Sequence, residues 1–355
     1  MSAQNVETFF RKKILEYYQV NKRDLPWRDI QDPYKIWISE IILQQTQVKQ
    51  GLSYYLKFIE KFPNIKALAN ASEDEVLHLW QGLGYYSRAR NLHYAARQIV
   101  NEFGGKFPVQ YEDILKLKGV GEYTAAAIAS FAYNQPYPVL DGNVFRVLSR
   151  FFGIQTSIDS AEGKKMFKEL AGRLLDKKNP SAYNQAIMEF GATYCTPQNP
   201  DCWNCLLQKY CKAFEKNEVD LLPVKSKSVL KQNRYLNYFV FIENHQYIFI
   251  SKRKDGDIWQ GLYEFCLEES KDKLFSEKQI KNFLNKANVT FQSISLYPPI
   301  KHILSHQNLF IQFIIVSLES LHNTFQLKKI SLKDIHQYPF PVVLQRFISS
   351  YFAKE

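Results

Sequence analysis

Two acidic residues stand in contexts that favour different protonation states. Glu40 lies in an apolar stretch between Ile38 and Ile41, where loss of water would raise the pKa of its carboxyl group and keep it protonated. Asp141 follows Leu140 at the end of another apolar run. One carboxyl group that protonates a leaving group and one that stabilises a cationic sugar together cleave glycosidic bonds. The pair therefore predicts this type of chemistry.

Each of these carboxylates also has an ordinary structural interpretation. Glu40 could lie on a solvated helix face or form an ion pair with Arg28. Asp141 precedes Gly142 and Asn143, so it could cap the next helix by accepting hydrogen bonds from backbone amides. The two residues taken in isolation leave these alternatives open.

A glycine-rich turn lies twenty residues before Asp141. It consists of Gly119, Val120 and Gly121, between an apolar helix that ends near Leu117 and an alanine-rich run. Glycine permits tight backbone geometry and the close approach of a ligand. The pattern predicts a helix-hairpin-helix, with an ordinary turn between two packed helices as the alternative.

The second helix of this hairpin offers a binding site for an anion. Its first backbone amides are unpaired and lie at the positive end of the helix dipole, where a DNA phosphate group fits. Lys118 lies beside the turn, and we assign it to phosphate attraction.

Composition is consistent with a globular protein that binds a polyanion. The chain has 355 residues, of which 46% are hydrophobic and 15% aromatic, and its formal charge is +11. This length favours two domains, and the charge fits a nucleic acid, although excess lysine can also be solubilising surface. Because no apolar segment follows a basic start or reaches membrane-spanning length, we expect a soluble, intracellular protein that does not bind membranes. We also expect it to be a monomer. It would be cytoplasmic, and nucleoid-associated if bacterial.

Four cysteines are clustered within seventeen residues, with the spacing C-x6-C-x2-C-x5-C: Cys195, Cys202, Cys205 and Cys211. A disulfide pair is disfavoured without a secretion signal. Structural zinc usually uses two C-x2-C pairs, and only one is present. The spacing therefore favours a [4Fe-4S] cluster over zinc. Cys266 lies far away and is expected to be a small buried hydrophobe.

Helical periodicity dominates the first part of the chain. The predicted helices span 6–20, 33–48, 51–61, 73–80, 87–102, 111–117, 122–133, 143–152, 161–175 and 181–192. An all-α domain is expected over residues 1–213, including the cysteine loop 195–211.

A charged, aperiodic stretch, 214–233, predicts an exposed connector to a second domain at 234–355. Apolar runs at 238–242 and 246–250 flank a polar turn and predict a β-hairpin, and residues 309–316 predict another strand. The second domain is therefore expected to be α+β.

Five motifs in order carry a family resemblance. In chain order they are Trp37-Ile-Ser-Glu-Ile-Ile-Leu-Gln-Gln-Thr-Gln-Val, Gly82-Leu-Gly-Tyr-Tyr, the hairpin, Leu140-Asp-Gly-Asn-Val and the four cysteines. Residues 20–212 closely resemble the MutY-type adenine DNA glycosylases, which belong with endonuclease III to the helix-hairpin-helix superfamily. This resemblance implies a multi-domain protein whose all-α glycosylase domain carries an iron-sulfur loop.

The second domain resembles, more weakly, the MutT-like (Nudix-fold) domain that such proteins append. Trp259-Gln-Gly-Leu-Tyr-Glu-Phe and Leu304-Ser-His carry this likeness. The run of glutamates with which a Nudix hydrolase binds its metal is missing, so nucleotide pyrophosphatase activity is not expected.

The resemblance implies a role for each candidate catalytic residue. Glu40 would protonate the imidazole-ring nitrogen of adenine, and Asp141 would stabilise the cationic sugar through a transient covalent adduct. Asn143 and Tyr123 would form hydrogen bonds around Asp141. Glycosylases that also cleave the strand carry a lysine where this chain has Tyr123, because an amine must form a Schiff base with the sugar. Hydrolysis without efficient strand cleavage is therefore expected.

The implied substrate is duplex DNA with adenine opposite 8-oxoguanine, or less efficiently opposite guanine, and the adenine must be flipped out to react. By resemblance, Gln45 and Tyr85 are wedges, and Thr46 and Leu83 contact the 8-oxoguanine. Ordinary packing or surface roles remain alternatives for these side chains. Arg28 belongs to the same predicted DNA-binding set.

Ser305 and His306 of the second domain would probe the oxidised base. Family members usually have Phe before this Ser-His pair, and Leu304 stands here, which removes aromatic stacking but not hydrogen bonding by the serine. His302 is expected to be structural.

Two other functions remain as alternatives. An endonuclease III-like pyrimidine glycosylase is disfavoured by Tyr123 and by the extra domain. A non-catalytic iron-sulfur DNA-binding protein is disfavoured by the presence of both Glu40 and Asp141.

Overall fold

The computed structural model describes residues 3–226, 231–321 and 325–352. Its contacts divide the chain into two compact units. The helical unit comprises Met1–Asn70 and Asn91–Lys227, and the sheet unit comprises Ala71–Arg90 and Ser228–Glu355. The boundaries expected at 213 and 234 stay predictions, but the packing shows that part of the expected connector is ordered. Leu222 is buried, and Arg150 Nε donates a hydrogen bond to its carbonyl oxygen.

Twelve α-helices precede the first strand in the described residues. They are α1 (Ala3–Asn21), α2 (Pro33–Leu43), α3 (Val48–Lys61), α4 (Ile65–Asn70), α5 (Glu73–Leu79), α6 (Ser87–Glu102), α7 (Tyr111–Lys116), α8 (Glu122–Tyr133), α9 (Gly142–Phe152), α10 (Ala161–Leu174), α11 (Pro180–Thr193) and α12 (Lys212–Glu215). Among the described helices, none combines the length and the apolarity that crossing a membrane requires.

The core of the helical unit is built from the apolar faces of α1, α8, α9, α10 and α11. In α9, Val144, Val147, Leu148 and Phe151 are all buried, which is the spacing of one face of a helix. These side chains anchor α9, and with it the position of Asp141 at the start of that helix.

Helix α2 is buried over most of its length and ends earlier than expected. Asp32 caps its N-terminus by accepting hydrogen bonds from the backbone amides of Tyr34 and Lys35. The predicted helix 33–48 is wrong beyond Leu43, because Gln45 adopts a φ of +56° and the chain turns before α3 begins. A left-handed conformation of this kind interrupts a helix.

Helices α7 and α8 form the expected hairpin. Gly119 has a φ of +77°, and a Cβ there would lie 2.6 Å from Cβ of Asn91 in α6, so this turn requires glycine at that position. Gly121 precedes α8, and a Cβ there would meet no atom within 4 Å. The second glycine thus leaves the start of α8 open to a ligand.

In addition to α5, which lies in Ala71–Arg90, the sheet unit contains a mixed seven-stranded sheet and two later α-helices. Its elements are β1 (Gln232–Glu243), β2 (Tyr247–Lys252), β3 (Tyr263–Glu264), β4 (Cys266–Ser270), α13 (Glu277–Lys286), β5 (Ser293–Ile303), β6 (Gln307–Leu318), β7 (Lys328–Ser331) and α14 (Val342–Phe352). The strand order is β3-β2-β1-β6-β5, with β4 paired to β1 and β7 to β2. β1 and β6 are parallel, and the other pairs are antiparallel.

Apolar side chains cover both faces of the central strands. Tyr238 and Phe239 are adjacent in β1 but belong to two different apolar clusters, as the two-residue period of a strand requires. Phe347 of α14 stacks on one face, and Phe283 of α13 stacks on Phe239 at 4.2 Å on the other. The predicted mixed α+β domain is confirmed.

Candidate active site

A cavity of about 520 Å³ lies within the helical unit. Its walls come from α2, α8, α9, α11, the segment before α2 and the turn between α2 and α3. Seven of the residues singled out from the sequence line it: Arg28, Glu40, Gln45, Thr46, Tyr123, Asp141 and Asn143. The fold therefore brings both carboxyl groups into one space, although they are far apart in the chain.

Glu40 lies on the buried face of α2 and is only 7% exposed. The hydroxyl group of Tyr123 donates a hydrogen bond to its Oε2 atom at 2.7 Å. Burial raises the pKa of Glu40 to about 7, while the Tyr123 hydrogen bond and the charge of Arg28 oppose this rise. The carboxyl group can therefore hold and release a proton near neutral pH.

Tyr123 is held as a neutral phenol beside this acid. Burial, together with the charges of Glu40 and Asp141, raises the pKa of Tyr123 well above its ordinary value. Its hydroxyl group is therefore a hydrogen-bond donor at every pH at which the protein would work.

Asp141 caps α9 and also lines the cavity, so its structural and its functional interpretation are compatible. Its Oδ1 accepts a hydrogen bond from the Val144 amide, and its Oδ2 accepts one from Asn143 Nδ2, both at 2.7 Å. Burial raises the pKa of Asp141, and these hydrogen bonds oppose the rise by favouring the charged form. Arg146 Nη2 donates in turn to Asn143 Oδ1 at 2.9 Å, which fixes the orientation of the amide.

Glu189 of α11 is a site residue that the sequence interpretation missed. Its side chain is fully buried, and its carboxylate accepts hydrogen bonds from Arg28 Nη2 at 2.7 Å and from Arg23 Nη2 at 2.9 Å. Burial by itself would raise its pKa, but the two arginines outweigh it and the pKa is lowered. Arg28 thus pairs with Glu189 rather than serving as the ion-pair partner considered for Glu40.

The sequence does contain a signal for Glu189. It is a single acidic residue in the apolar run Ala186-Ile-Met-Glu-Phe-Gly, much as Glu40 is in α2. The pKa values of the two buried glutamates are shifted in opposite directions, because only Glu189 has two arginines that donate to its carboxylate.

The residues predicted to surround a flipped base lie in two turns. Gln45 and Thr46 lie in the turn that ends α2, on the cavity wall. Leu83 and Tyr85 lie between α5 and α6, in the sheet unit. Leu83 is 8% exposed, whereas Tyr85 is 44% exposed with a φ of +48°.

Ser305 and His306 form the exposed turn between β5 and β6 in the sheet unit. Ser305 Oγ lies 3.1 Å from His306 Nδ1, and the Leu304 amide donates to the Gln307 carbonyl oxygen. Leu304 packs against the apolar cluster beneath. Burial lowers the pKa of His302, whose ring lies 6.1 Å from that of Trp259. His302 is therefore half-buried, whereas His306 is exposed.

The four clustered cysteines line a second cavity of the helical unit, walled by aromatic side chains that include Phe151, Phe190 and Phe214. Two of the sulfur atoms accept hydrogen bonds. The Leu207 amide donates to Cys205 Sγ at 3.4 Å, and Arg150 Nη1 donates to Cys195 Sγ at 3.5 Å. Over the described ranges, no group of three or more His, Cys, Asp or Glu side chains is arranged to hold a metal ion. Cys266 is buried in the sheet unit.

Lys118 lies at the exposed side of the hairpin turn, and its backbone amide donates to Gln98 Oε1. Val120 is nearly buried beside it. The turn therefore packs through the valine and presents the lysine to solvent.

Comparisons with known families identify the class of protein that this fold and site define. Residues 38–173 match the model of the HhH-GPD superfamily of base excision DNA repair proteins, and residues 237–350 match the NUDIX domain. A solved structure titled as a thermostable thymine-DNA glycosylase aligns with a TM-score of 0.57 and 32% identity, over 61% of this chain and all of that one. An endonuclease III in complex with DNA aligns with a TM-score of 0.54 and 20% identity, over 61% of this chain and 99% of that one, which shows the fold alone.

Two relatives narrow the class to one family. The adenine DNA glycosylase of Buchnera aphidicola subsp. Schizaphis graminum (strain Sg) is 35% identical over 345 residues, which cover 96% of this chain and 97% of the relative. That of Mus musculus is 45% identical over 218 residues, which cover 59% of this chain and 42% of the relative. The chain belongs to the adenine DNA glycosylase family. The predicted helix-hairpin-helix glycosylase fold with a Nudix domain is confirmed.

Proposed function

We propose that this protein is a DNA N-glycosylase that hydrolyses the bond between adenine and its sugar where adenine is mispaired with 8-oxoguanine or, less efficiently, with guanine. It would begin base excision repair of such mispairs. The observation that carries the proposal is the state of Glu40, a buried acid with a pKa of about 7 that shares its cavity with Asp141.

Glu40 supplies the proton that adenine needs to leave. Its Oε2 accepts from Tyr123, so the acidic proton resides on Oε1. Transfer of that proton to the imidazole-ring nitrogen turns adenine into a better leaving group, and the base departs neutral as the C1′–N9 bond breaks. A positioned general acid contributes about 10²- to 10⁴-fold to the rate.

Asp141 stabilises the positive charge that develops on the sugar. Its two hydrogen bonds, from Val144 and Asn143, hold the carboxylate in place before the reaction, which lowers the reorganisation required in the transition state. A carboxylate oxygen can bond transiently to C1′ and is displaced by water. The products are free adenine and an abasic sugar.

Strand cleavage is not part of the proposed reaction. A glycosylase with lyase activity requires an amine that forms a Schiff base with the opened sugar. The corresponding position is Tyr123, a neutral phenol bound to Glu40. The abasic strand should therefore leave intact.

Recognition requires the adenine to be flipped out of the duplex. Gln45 and Tyr85 both adopt left-handed backbone conformations, and strained positions of this kind cluster at binding sites. We assign them as wedges in the duplex, and we assign Thr46 and Leu83 as contacts to the base opposite the adenine. Ser305 and His306 lie on an exposed turn, where they can donate hydrogen bonds to an oxidised base.

The hairpin is proposed to hold the DNA backbone. The open space around Gly121 and the exposed position of Lys118 allow a phosphate group to approach the start of α8. Arg28 lines the cavity and is oriented by Glu189, so it can donate to the flipped nucleotide. The active form would be a cytoplasmic monomer on duplex DNA.

We also propose a [4Fe-4S] cluster held by Cys195, Cys202, Cys205 and Cys211. The support for this proposal is that all four cysteines line one cavity, that aromatic side chains surround it, and that N–H groups donate to the sulfur atoms of Cys195 and Cys205. When bound, the cluster would brace the loop 195–211 through four iron–sulfur bonds.

Single-turnover base release tests the proposed chemistry. Glu40→Gln and Asp141→Asn should both bind a duplex with adenine opposite 8-oxoguanine, while adenine release falls by about 10²-fold or more. Glu60→Gln changes an exposed glutamate in α3 and is the matched control. Turnover retained by Glu40→Gln would remove Glu40 from the mechanism.

Asp141 needs a second control because it is also a helix cap. Asn is as good a cap as Asp, so Asp141→Asn should unfold at nearly the wild-type temperature. Ser160 caps α10 through its side chain, and Ser160→Ala should lower stability by about 1 kcal/mol with an unchanged rate of release. If the rate of adenine release in both variants fell only as much as the stability fell, a chemical role for Asp141 would be contradicted.

A further inference from the structure

The turn formed by residues 82–86 has an unusual backbone. Gly82 and Gly84 have φ angles of +94° and +74°, and Tyr85, which is not glycine, has one of +48°. The indole of Trp80 donates a hydrogen bond to the Gly84 carbonyl oxygen at 3.2 Å. This conformation depends on the segments that flank it, because a non-glycine residue rarely adopts it unaided.

Arg88 holds the turn from its inner side. Its Nη2 atom donates to the carbonyl oxygens of Gly84, at 3.2 Å, and Leu83, at 3.5 Å. The guanidinium lies 5.2 Å from the Trp80 ring and 5.8 Å from the Tyr85 ring, distances at which cation–π attraction is favourable. The turn is therefore formed in advance of any ligand.

The helix before the turn is attached to the sheet through Asp74. Lys252 Nζ donates to its Oδ1 at 2.7 Å, and the Tyr263 hydroxyl donates to its Oδ2 at 3.1 Å. Lys252 and Tyr263 are directly opposite each other in the β2–β3 pair. One carboxylate on α5 is thus bound through both oxygens by a cross-strand pair.

The helix after the turn is attached to the neighbouring loop through Arg90. Its Nη2 donates to Gln260 Oε1 at 3.0 Å, and its Nη1 donates to the Gln260 carbonyl oxygen. The next residue, Gly261, has a φ of +80°, and a Cβ there would lie 3.1 Å from Glu73 Oε1 and 3.4 Å from Leu77 Cδ1. The loop approaches α5 closely because residue 261 has no side chain.

We propose that Lys252, Tyr263 and Gln260 are positioning residues that fix the turn 82–86 against the sheet, and that they thereby determine specificity for the base opposite the adenine. This inference rests on the proposed function, because it takes Leu83 and Tyr85 as DNA contacts. The sheet that carries these residues also carries the turn with Ser305 and His306. The sheet unit then reads the opposite base through two turns on one scaffold.

The test variant weakens both attachments at once, since a partly exposed ion pair contributes little by itself, and Gln260→Ala removes the side-chain bond to Arg90 while the bond to the backbone carbonyl oxygen remains. It combines Asp74→Asn with Gln260→Ala, and Lys254→Ala, at an exposed position of the same loop, is the control. The measurement is the ratio of single-turnover adenine release opposite 8-oxoguanine to that opposite guanine, at subsaturating enzyme. The ratio should fall about 5- to 10-fold in the combined variant, because small displacements of positioning groups have large effects on rate. It should be unchanged in the control.

Two further measurements separate positioning from general loss of stability. Amide hydrogen exchange in residues 80–90 should become faster in the combined variant, while that in residues 142–152 should not change. Reversing the ion pair, with Asp74→Lys and Lys252→Asp together, should restore the ratio that Asp74→Lys alone lowers. Tyr263→Phe, which removes one hydroxyl group, should lower the ratio by a smaller factor. It replaces the combined variant in the test if the combined variant does not fold.

The outcomes distinguish this inference from the proposed function. If the wild-type protein releases adenine with a preference for 8-oxoguanine and the combined variant keeps the wild-type ratio, the positioning role is wrong and the proposed function stands. Faster exchange throughout the protein, or failure of the reversed pair to restore the ratio, also contradicts the inference. A wild-type protein that releases no adenine overturns the proposed function itself.

Discussion

The hydroxyl group of Tyr123 lies 2.7 Å from Oε2 of Glu40 and donates a hydrogen bond to it. Strand cleavage through a Schiff base requires an amine that attacks the sugar, which a phenol cannot supply. Tyr123 instead donates a hydrogen bond to Glu40, the proposed acid. The contact joins α8 of the hairpin to the buried helix α2, so it connects the expected DNA-binding element with the chemistry.

The buried state of Glu40 should make the protein less stable as the pH rises. Its pKa of about 7 in the fold exceeds the ordinary value of 4.5, so the folded protein binds more protons than the unfolded chain between these values. The free energy of unfolding therefore falls across that window. Glu40→Gln should be more stable than the wild type at pH 8, by about 3 kcal/mol at most, and nearly equal to it at pH 4.

Thermal unfolding at several pH values checks this expectation. Glu60→Gln, which changes an exposed glutamate, should follow the wild-type curve. A Glu40→Gln protein no more stable than the wild type at pH 8 would mean that burial of this carboxyl group does not cost stability.

Tyr123→Phe should move the alkaline limit of activity upward. The hydrogen bond from Tyr123 lowers the pKa of Glu40, so its removal leaves the acid protonated to a higher pH. A hydrogen bond worth about 1 kcal/mol corresponds to a shift of roughly one pH unit. The pH profile of single-turnover release measures it. Tyr133→Phe removes a hydroxyl group from the same helix, where it donates to the Phe107 carbonyl oxygen, and should leave the limit in place. A downward shift in Tyr123→Phe would contradict the assigned donor.

Glu189→Gln should be strongly destabilising. The substitution leaves Arg28 and Arg23 beside a neutral amide in a buried position, and breaking such a pair costs about 3–5 kcal/mol. Denaturant unfolding gives the value. Glu215→Gln breaks the exposed pair with Lys212 and should cost less than about 1 kcal/mol. Equal effects of the two substitutions would show that the buried network is not what stabilises α11.

Iron content tests the assignment of the cysteines. Protein prepared anaerobically should be yellow-brown with roughly four irons per chain. Cys202→Ala should lose most of this iron, whereas Cys266→Ala, at a buried thiol in the sheet unit, should keep it. Stoichiometric zinc in the wild-type protein, or equal iron in both variants, would overturn the proposed cofactor.

Local patterns in the sequence predict much of the helical unit. The bounds predicted for α6 and α8, at 87–102 and 122–133, coincide with those observed, because apolar periodicity and glycine placement are local signals. The buried environment of Glu40 could also be inferred from its apolar neighbours. These features depend on residues within one or two helical turns.

The features that sequence patterns missed depend on contacts between distant residues or on local strain. Glu189 and Arg28 are separated by 161 positions, so their pairing has no local signal. The left-handed conformation of Gln45 stops the chain from continuing as helix after α2. The residues there are polar, and the helical period predicted from the sequence continues through them. Within the sheet unit, Asp74 of α5 is bound by Lys252 of β2, 178 positions away, and nothing near either residue indicates this attachment.

Base release from defined duplexes tests the central claim most directly. Single-turnover reactions would use adenine opposite 8-oxoguanine, adenine opposite guanine, and an oxidised pyrimidine opposite guanine, with strand breaks scored before and after alkali. Loss of adenine that is visible only after alkali, faster opposite 8-oxoguanine, is the predicted result. Loss of the pyrimidine with direct strand breaks, or no release from any duplex, would contradict it.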